Sequence, residues 1–160
     1  MSTQPQKRFF KDKWMEDFQA AFLQRDQDVE TLHEKQRYIL SMHIGGVAVE
    51  CLLKAKLCAI LPTSTCTGEK EWYDSENGKN VGHTIRNPGH IYRQALRSHQ
   101  RLHDRVKGNP YVWQWLEKVE NPECHFIDMR YVGKEPDKKK YESWYDAYRK
   151  LVRWLLKQKF

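Results

Sequence analysis

The sequence lacks a run of apolar residues long enough to cross a membrane. A span needs about 20 of them, and the longest uncharged stretch, Tyr38 to Val49, falls short. Met1 to Phe10 has no apolar core of the kind a secretory leader carries. Cysteine is sparse: Cys51, Cys58, Cys66 and Cys124 form no CxxC pair, which speaks against a structural zinc site and for reduced thiols in the cytoplasm. No GxSxG, Walker loop or GxGxxG occurs, and no Asp/Glu pair is set out for acid–base work. His99 and His103 have the i, i+4 spacing of a metal chelate but no acidic companion in the HExxH manner, so neither metal nor cofactor is expected.

What remains is a charged, aromatic-rich chain. Its 160 residues suit one domain, with residues 1–10 expected to be a flexible N-terminus. Six Trp, eight Tyr and six Phe supply the large buried areas a core requires, and they separate this chain from disordered ones. The net charge of +7 is concentrated: residues 86–107 and 134–160 each carry +5, and the rest sums to −3. Two such patches raise the local concentration of polyanions.

The apolar periodicity is helical almost throughout. A first helix is expected from about Asp12 to Glu34, with Trp14, Phe18, Phe22, Val29 and Leu32 on one face. A second, apolar nearly all round, runs from about Gln36 to Leu61 and stops before Pro62, as a central bundle helix would. Gly45 and Gly46 lie inside it at a cost of roughly 1 kcal/mol each against Ala, a cost explained by close approach of a neighbouring helix. Pro62 to Arg86 reads as a long polar loop, with a helical turn possible around Lys70 to Tyr73. Asn87-Pro88 opens a third helix that ends at about Lys107 before Gly108. Asn109-Pro110 opens a fourth, Tyr111 to Glu120, and an irregular stretch from Glu123 leads into a last helix, about Lys138 to Lys159. The expected fold is all-α: an up-and-down bundle of four to five helices with two long connecting loops.

Three polar constellations interrupt this pattern. Arg93, Arg97, Arg101 and Arg105 recur every fourth residue opposite the apolar face of the third helix. Guanidinium forks suit phosphate oxygens, and the row repels itself unless an anion neutralises it. Arg149, Arg153 and Lys157 repeat the device on the last helix, where Trp154 falls on the polar side and could stack on a base or anchor an interface. His43, Glu50 and Lys54 draw a polar line along the apolar second helix, with Glu50 and Lys54 ordered for an ion pair. A charge there is either paired in a buried network or lines a groove, which could take a nucleotide.

The stretch His43-Ile-Gly-Gly-Val-Ala-Val-Glu50-Cys-Leu-Leu-Lys54-Ala resembles the second-helix signature of HEPN domains (higher eukaryotes and prokaryotes nucleotide-binding). Gly82-His83 followed by Ile85, and Met129-Arg130-Tyr131, resemble two further elements of that family in the same order. The resemblance implies a helical bundle that dimerises and works on RNA. Such domains serve as RNA-binding scaffolds, as metal-independent ribonucleases, or as partners of minimal nucleotidyltransferases in toxin–antitoxin and defence systems. In the ribonuclease branch a histidine moves the 2′-hydroxyl proton and an arginine steadies the phosphate. Arg86 and His90 are the candidates for those roles, although three residues separate them where the family has four to six. Arg37/His43 and Arg97/His103 have five, but lie within expected helices. The resulting expectation is a cytoplasmic, homodimeric RNA- or partner-binding module without its own catalysis, with a metal-independent endoribonuclease as the alternative and a nucleotide-binding bundle as the second alternative.

Overall fold

The computed structural model describes residues 18–60, the strand residues Trp72–Tyr73 and Ile85–Arg86, and residues 88–160. Among the described residues the fold is an all-α helical bundle, and no helix is long and apolar enough to cross a membrane. The helices are α1 (Phe18–Glu34), α2 (Tyr38–Ile60), α3 (Tyr92–Arg97), α4 (Gln100–Lys107), α5 (Pro110–Glu120) and α6 (Lys138–Lys157), with a 3₁₀ turn over Asp128–Tyr131. The expected helix start at Asp12, with Trp14, lies outside the described residues, as do Leu61, Cys66, His83 and Asn87. Where a helical turn was possible, Trp72–Tyr73 instead pairs in parallel with Ile85–Arg86.

α1 and α2 form an antiparallel hairpin. Gln36 takes the left-handed conformation (φ 56°), and the Arg37 N–H bonds back to the Leu32 carbonyl at 2.9 Å. That is a Schellman stop with a non-glycine residue at its C′ position. α6 closes over the hairpin with its aromatic face: Tyr141, Trp144, Tyr148, Leu151, Val152 and Leu155 are buried. Its hydroxyls then clamp α1. Tyr148 donates to Asp26 (2.7 Å) and Tyr145 to Glu30 (2.9 Å). Burial, reinforced by Glu30, pushes the Tyr145 phenol up to about 12.

α2 is the central element. The two glycines are used for close approach, though by side chains rather than by a whole helix: a Cβ on Gly45 would lie 2.6 Å from the Trp144 ring, and one on Gly46 would overlap Phe126. Cys51 and Cys58 are buried thiols, and burial raises the Cys51 pKa, leaving it unreactive.

The third helix departs from expectation. It starts at Tyr92, with Ile91 (47% exposed) as its cap rather than part of its apolar face. It is also broken in two at Ser98–His99. His99 caps α4, accepting the Leu102 N–H at Nδ1 (3.2 Å). A side-chain cap competes with continued helix at that residue, which periodicity alone does not show. The Asn109-Pro110 start of α5 stands as read, with Asn109 accepting from Tyr111 and Val112 (3.2 and 3.3 Å).

His99 makes folding pH-dependent. Burial holds its imidazole below the ordinary 6.5 against the opposing pull of a backbone hydrogen bond, and Lys56, Arg101 and Arg105 act in the same direction as burial. The unfolded chain therefore takes up a proton before the folded one, so this contribution to stability is complete above about pH 6.5 and is lost as pH falls. His99→Asn keeps a capping side chain without titrating. Its melting temperature should fall less than the wild type's between about pH 7 and pH 5. Equal falls would remove His99 from the account.

Candidate functional site

The polar line on α2 is a row of grips on other elements. His43 Nδ1 lies 2.8 Å from the Phe126 carbonyl, which can only accept, so this nitrogen is the donor. One turn on, the Gly46 carbonyl accepts the Tyr92 hydroxyl at 2.6 Å. Next comes Glu50, whose side chain is 11% exposed and holds two partners at once: Lys54 Nζ at 2.7 Å on Oε1 and His90 Nδ1 at 2.7 Å on Oε2. Lys54 is itself buried and lies 5.7 Å from the centre of the Phe18 ring.

His90 is thus brought onto Glu50 from 40 positions away. The turn before α3 makes this possible, since Gly89 sits at φ +61°, a conformation glycine adopts without strain. The Gly-His pair that reaches α2 in the described structure is Gly89-His90. His90 is 58% exposed, with its Nδ1 committed to the carboxylate, and its Nε2 makes no hydrogen bond among the described residues. From behind, His125 Nε2 donates to the His90 carbonyl (3.0 Å), while its Nδ1 accepts from Ile127 N (3.3 Å). The group can orient an imidazole and stabilise it when protonated, as a proton-transfer dyad requires. The Arg86 side chain lies outside the described residues, so its role beside His90 rests on sequence alone.

Two contributors were not read from the sequence. Glu120 is buried and accepts the Tyr92 N–H at 2.7 Å, fixing the start of α3. Its signal was present: Val112, Leu116, Val119 and Glu120 share the buried face of α5. His125 carried no local signal. Arg130 and Tyr131 stack on one another (4.8 Å), with Tyr131 75% exposed, and neither is among the bonded partners of Glu50 and Lys54 in the described structure.

The break at Ser98–His99 divides the four-arginine row. Arg93 pairs with Glu117 (3.0 Å) and lies over the Trp113 ring (5.1 Å), and Arg97 shares a cleft with it. Arg101 and Arg105 belong to α4. Arg105 lies over the Phe160 ring (4.5 Å) and donates to Gln158 Oε1 (3.0 Å) and the Lys159 carbonyl (3.3 Å). Lys56 donates to the Gln158 carbonyl (2.8 Å). On α6, Arg149 is engaged by Glu30 at 2.6 Å, a bond that raises the guanidinium pKa. Trp154 is half-buried rather than presented to solvent. Arg101, Arg153 and Lys157 are exposed and have no carboxylate partner among the described residues.

Among the described residues, no three His, Cys, Asp or Glu side chains gather at metal-binding spacing. The fold and site define an all-α bundle carrying a buried Glu–Lys pair with an exposed histidine on it, flanked by basic helix faces. No family model, no curated protein and no solved structure matches the chain.

Proposed function

We propose that this protein binds RNA at the cationic surface where α4 meets the end of α6. The observation that carries this is the Arg105 contact with Gln158 and Lys159. It joins two basic segments that lie far apart in the chain, setting Arg101 and Arg105 beside the helix end that bears Arg153 and Lys157. Rows of cations without carboxylate partners among the described residues favour a polyanion. The HEPN resemblance supports RNA as that polyanion. It also adds a homodimer and a nucleotidyltransferase partner to the proposal, and light scattering on the purified protein tests the first of these.

Fluorescence anisotropy with single-stranded RNA over a salt series tests the binding. Affinity should fall log-linearly with salt, with a slope of about −0.7 per phosphate contacted. Replacing Arg101, Arg153 and Lys157 together by Ala should make that slope shallower by roughly 2. Binding that ignores salt, or a triple variant indistinguishable from wild type, would sink the proposal.

One observation favours a second reading, a metal-independent endoribonuclease: the Glu50–His90 contact orients an imidazole whose Nε2 is open to substrate. In that reading Nε2 takes the 2′-hydroxyl proton and Glu50 steadies the resulting imidazolium. RNA cleavage that persists in EDTA and disappears in His90→Ala is the expected result, and intact RNA with the wild-type protein rules this reading out. A nucleotide in the His43/Glu50/Lys54 groove has less to support it, because all three side chains are already bonded within the protein.

A further inference from the structure

A cleft of about 570 Å³ lies between α3, α4 and α5. Its size is that of a small-ligand pocket. Arg93, Arg97, His103, Lys107 and Trp113 line it, and no carboxylate does among the described residues. Helix geometry explains the sorting. His103 and Lys107 are one turn apart on α4, on the side opposite Arg101 and Arg105, so α4 presents one basic pair to the cleft and another to the α6 end.

The charges in the cleft are not balanced from within. Glu117 already engages Arg93 (3.0 Å) from outside the lining. Arg97 and Lys107 are exposed and form no hydrogen bond or ion pair among the described residues. His103 Nδ1 is enclosed and makes no hydrogen bond, with Asp104 Oδ1 3.6 Å away. Two cations without a bonded partner among the described residues, set around one small space, suit a compact dianion better than a single diester charge. Beside them the Arg93 guanidinium lies over Trp113 at 5.1 Å, a stacked pair against which a nucleobase can lie.

We infer that this cleft binds the phosphate monoester of a nucleotide, either at the end of an RNA strand or free, with Arg97 and Lys107 on the phosphate and the Arg93–Trp113 pair beside the base. The RNA-end form rests on the RNA-binding proposal above, whereas the free-nucleotide form stands without it.

Three short RNAs of one sequence decide the matter, carrying a 5′-phosphate, a 3′-phosphate, or hydroxyls at both ends. Their affinities are measured by anisotropy, and a nucleoside 5′-monophosphate is titrated by calorimetry. One phosphorylated end should bind about tenfold more tightly than the hydroxyl RNA, the effect of about one charge-assisted contact. Arg97→Ala with Lys107→Ala should erase that preference; both residues are exposed and have no bonded partner among the described residues, so the fold is not at stake. The Arg101, Arg153 and Lys157 triple variant should instead weaken all three RNAs together.

Heat from the free monophosphate that Lys107→Ala abolishes would identify a small nucleotide as the ligand. A preference seen only on RNA would identify a strand end. Equal binding of all three RNAs with no heat from the monophosphate would overturn the inference, as would a preference that survives the double substitution. If no RNA binds at all, the RNA proposal fails and the monophosphate titration alone decides the cleft: heat lost in Lys107→Ala supports it, and no heat overturns it.

Discussion

Glu50→Gln is expected to destabilise the protein by about 3–5 kcal/mol, the cost of leaving a buried charge without its partner. Lys54 is 7% exposed, and its bond to Glu50 Oε1, at 2.7 Å, is its ion pair. The ring of Phe18, 5.7 Å from Nζ, cannot replace a carboxylate. For a chain of this size the loss corresponds to roughly 10 °C in melting temperature. Glu50→Gln combined with Lys54→Met should recover most of it, because the buried charge then leaves with its partner. The same pair of variants separates structure from function at His90. If the double variant is stable yet behaves at the RNA like His90→Ala, Glu50 is a positioning residue for the imidazole. If the single variant melts with the wild type, the buried ion pair has been misjudged.

Gly46→Ala should be comparably damaging. The added Cβ overlaps Phe126 at Cβ and Cγ, near the root of that side chain, so no rotamer change clears it and backbone must shift. Phe126 is fully buried, and its carbonyl holds His43. The Gly46 carbonyl in turn holds Tyr92, whose hydroxyl is buried beside it. One methyl group therefore disturbs two of the grips that surround Glu50. Overpacking of this kind costs about 1–3 kcal/mol or more, and the melting temperature should drop by roughly 5–10 °C. Gly133→Ala is the control, since nothing lies within 4 Å of its Cβ and little change is expected. A neutral Gly46→Ala would show that the 125–127 segment is free to move away from α2.

Helix positions were legible in the sequence because they follow from local rules. The apolar face of α6, the Asn109-Pro110 start of α5 and the glycine pair in α2 each follow from spacing, capping or volume within a few residues. The Glu50–Lys54 bond was legible for the same reason, its partners being one turn apart on one helix. The helix that carries the four-arginine row is divided where a local rule has a competitor. Its spacing is helical from Arg93 to Arg105, but the imidazole of His99 bonds the Leu102 N–H and restarts the helix. That break turns one stripe into two surfaces, one in a cleft and one at the end of α6.

The sequence alone thus sufficed for an all-α chain with buried polar residues on α2 and cations on the outer faces of the later helices. It did so because side-chain periodicity is a property of neighbouring residues. Tertiary structure decided that His90 reaches Glu50. It also decided that Glu120 and His125 support that site, and that Arg105 joins α4 to the end of α6. Each of those contacts joins residues tens of positions apart, and such pairings are set by how the faces of the whole bundle pack, which no short window of sequence contains.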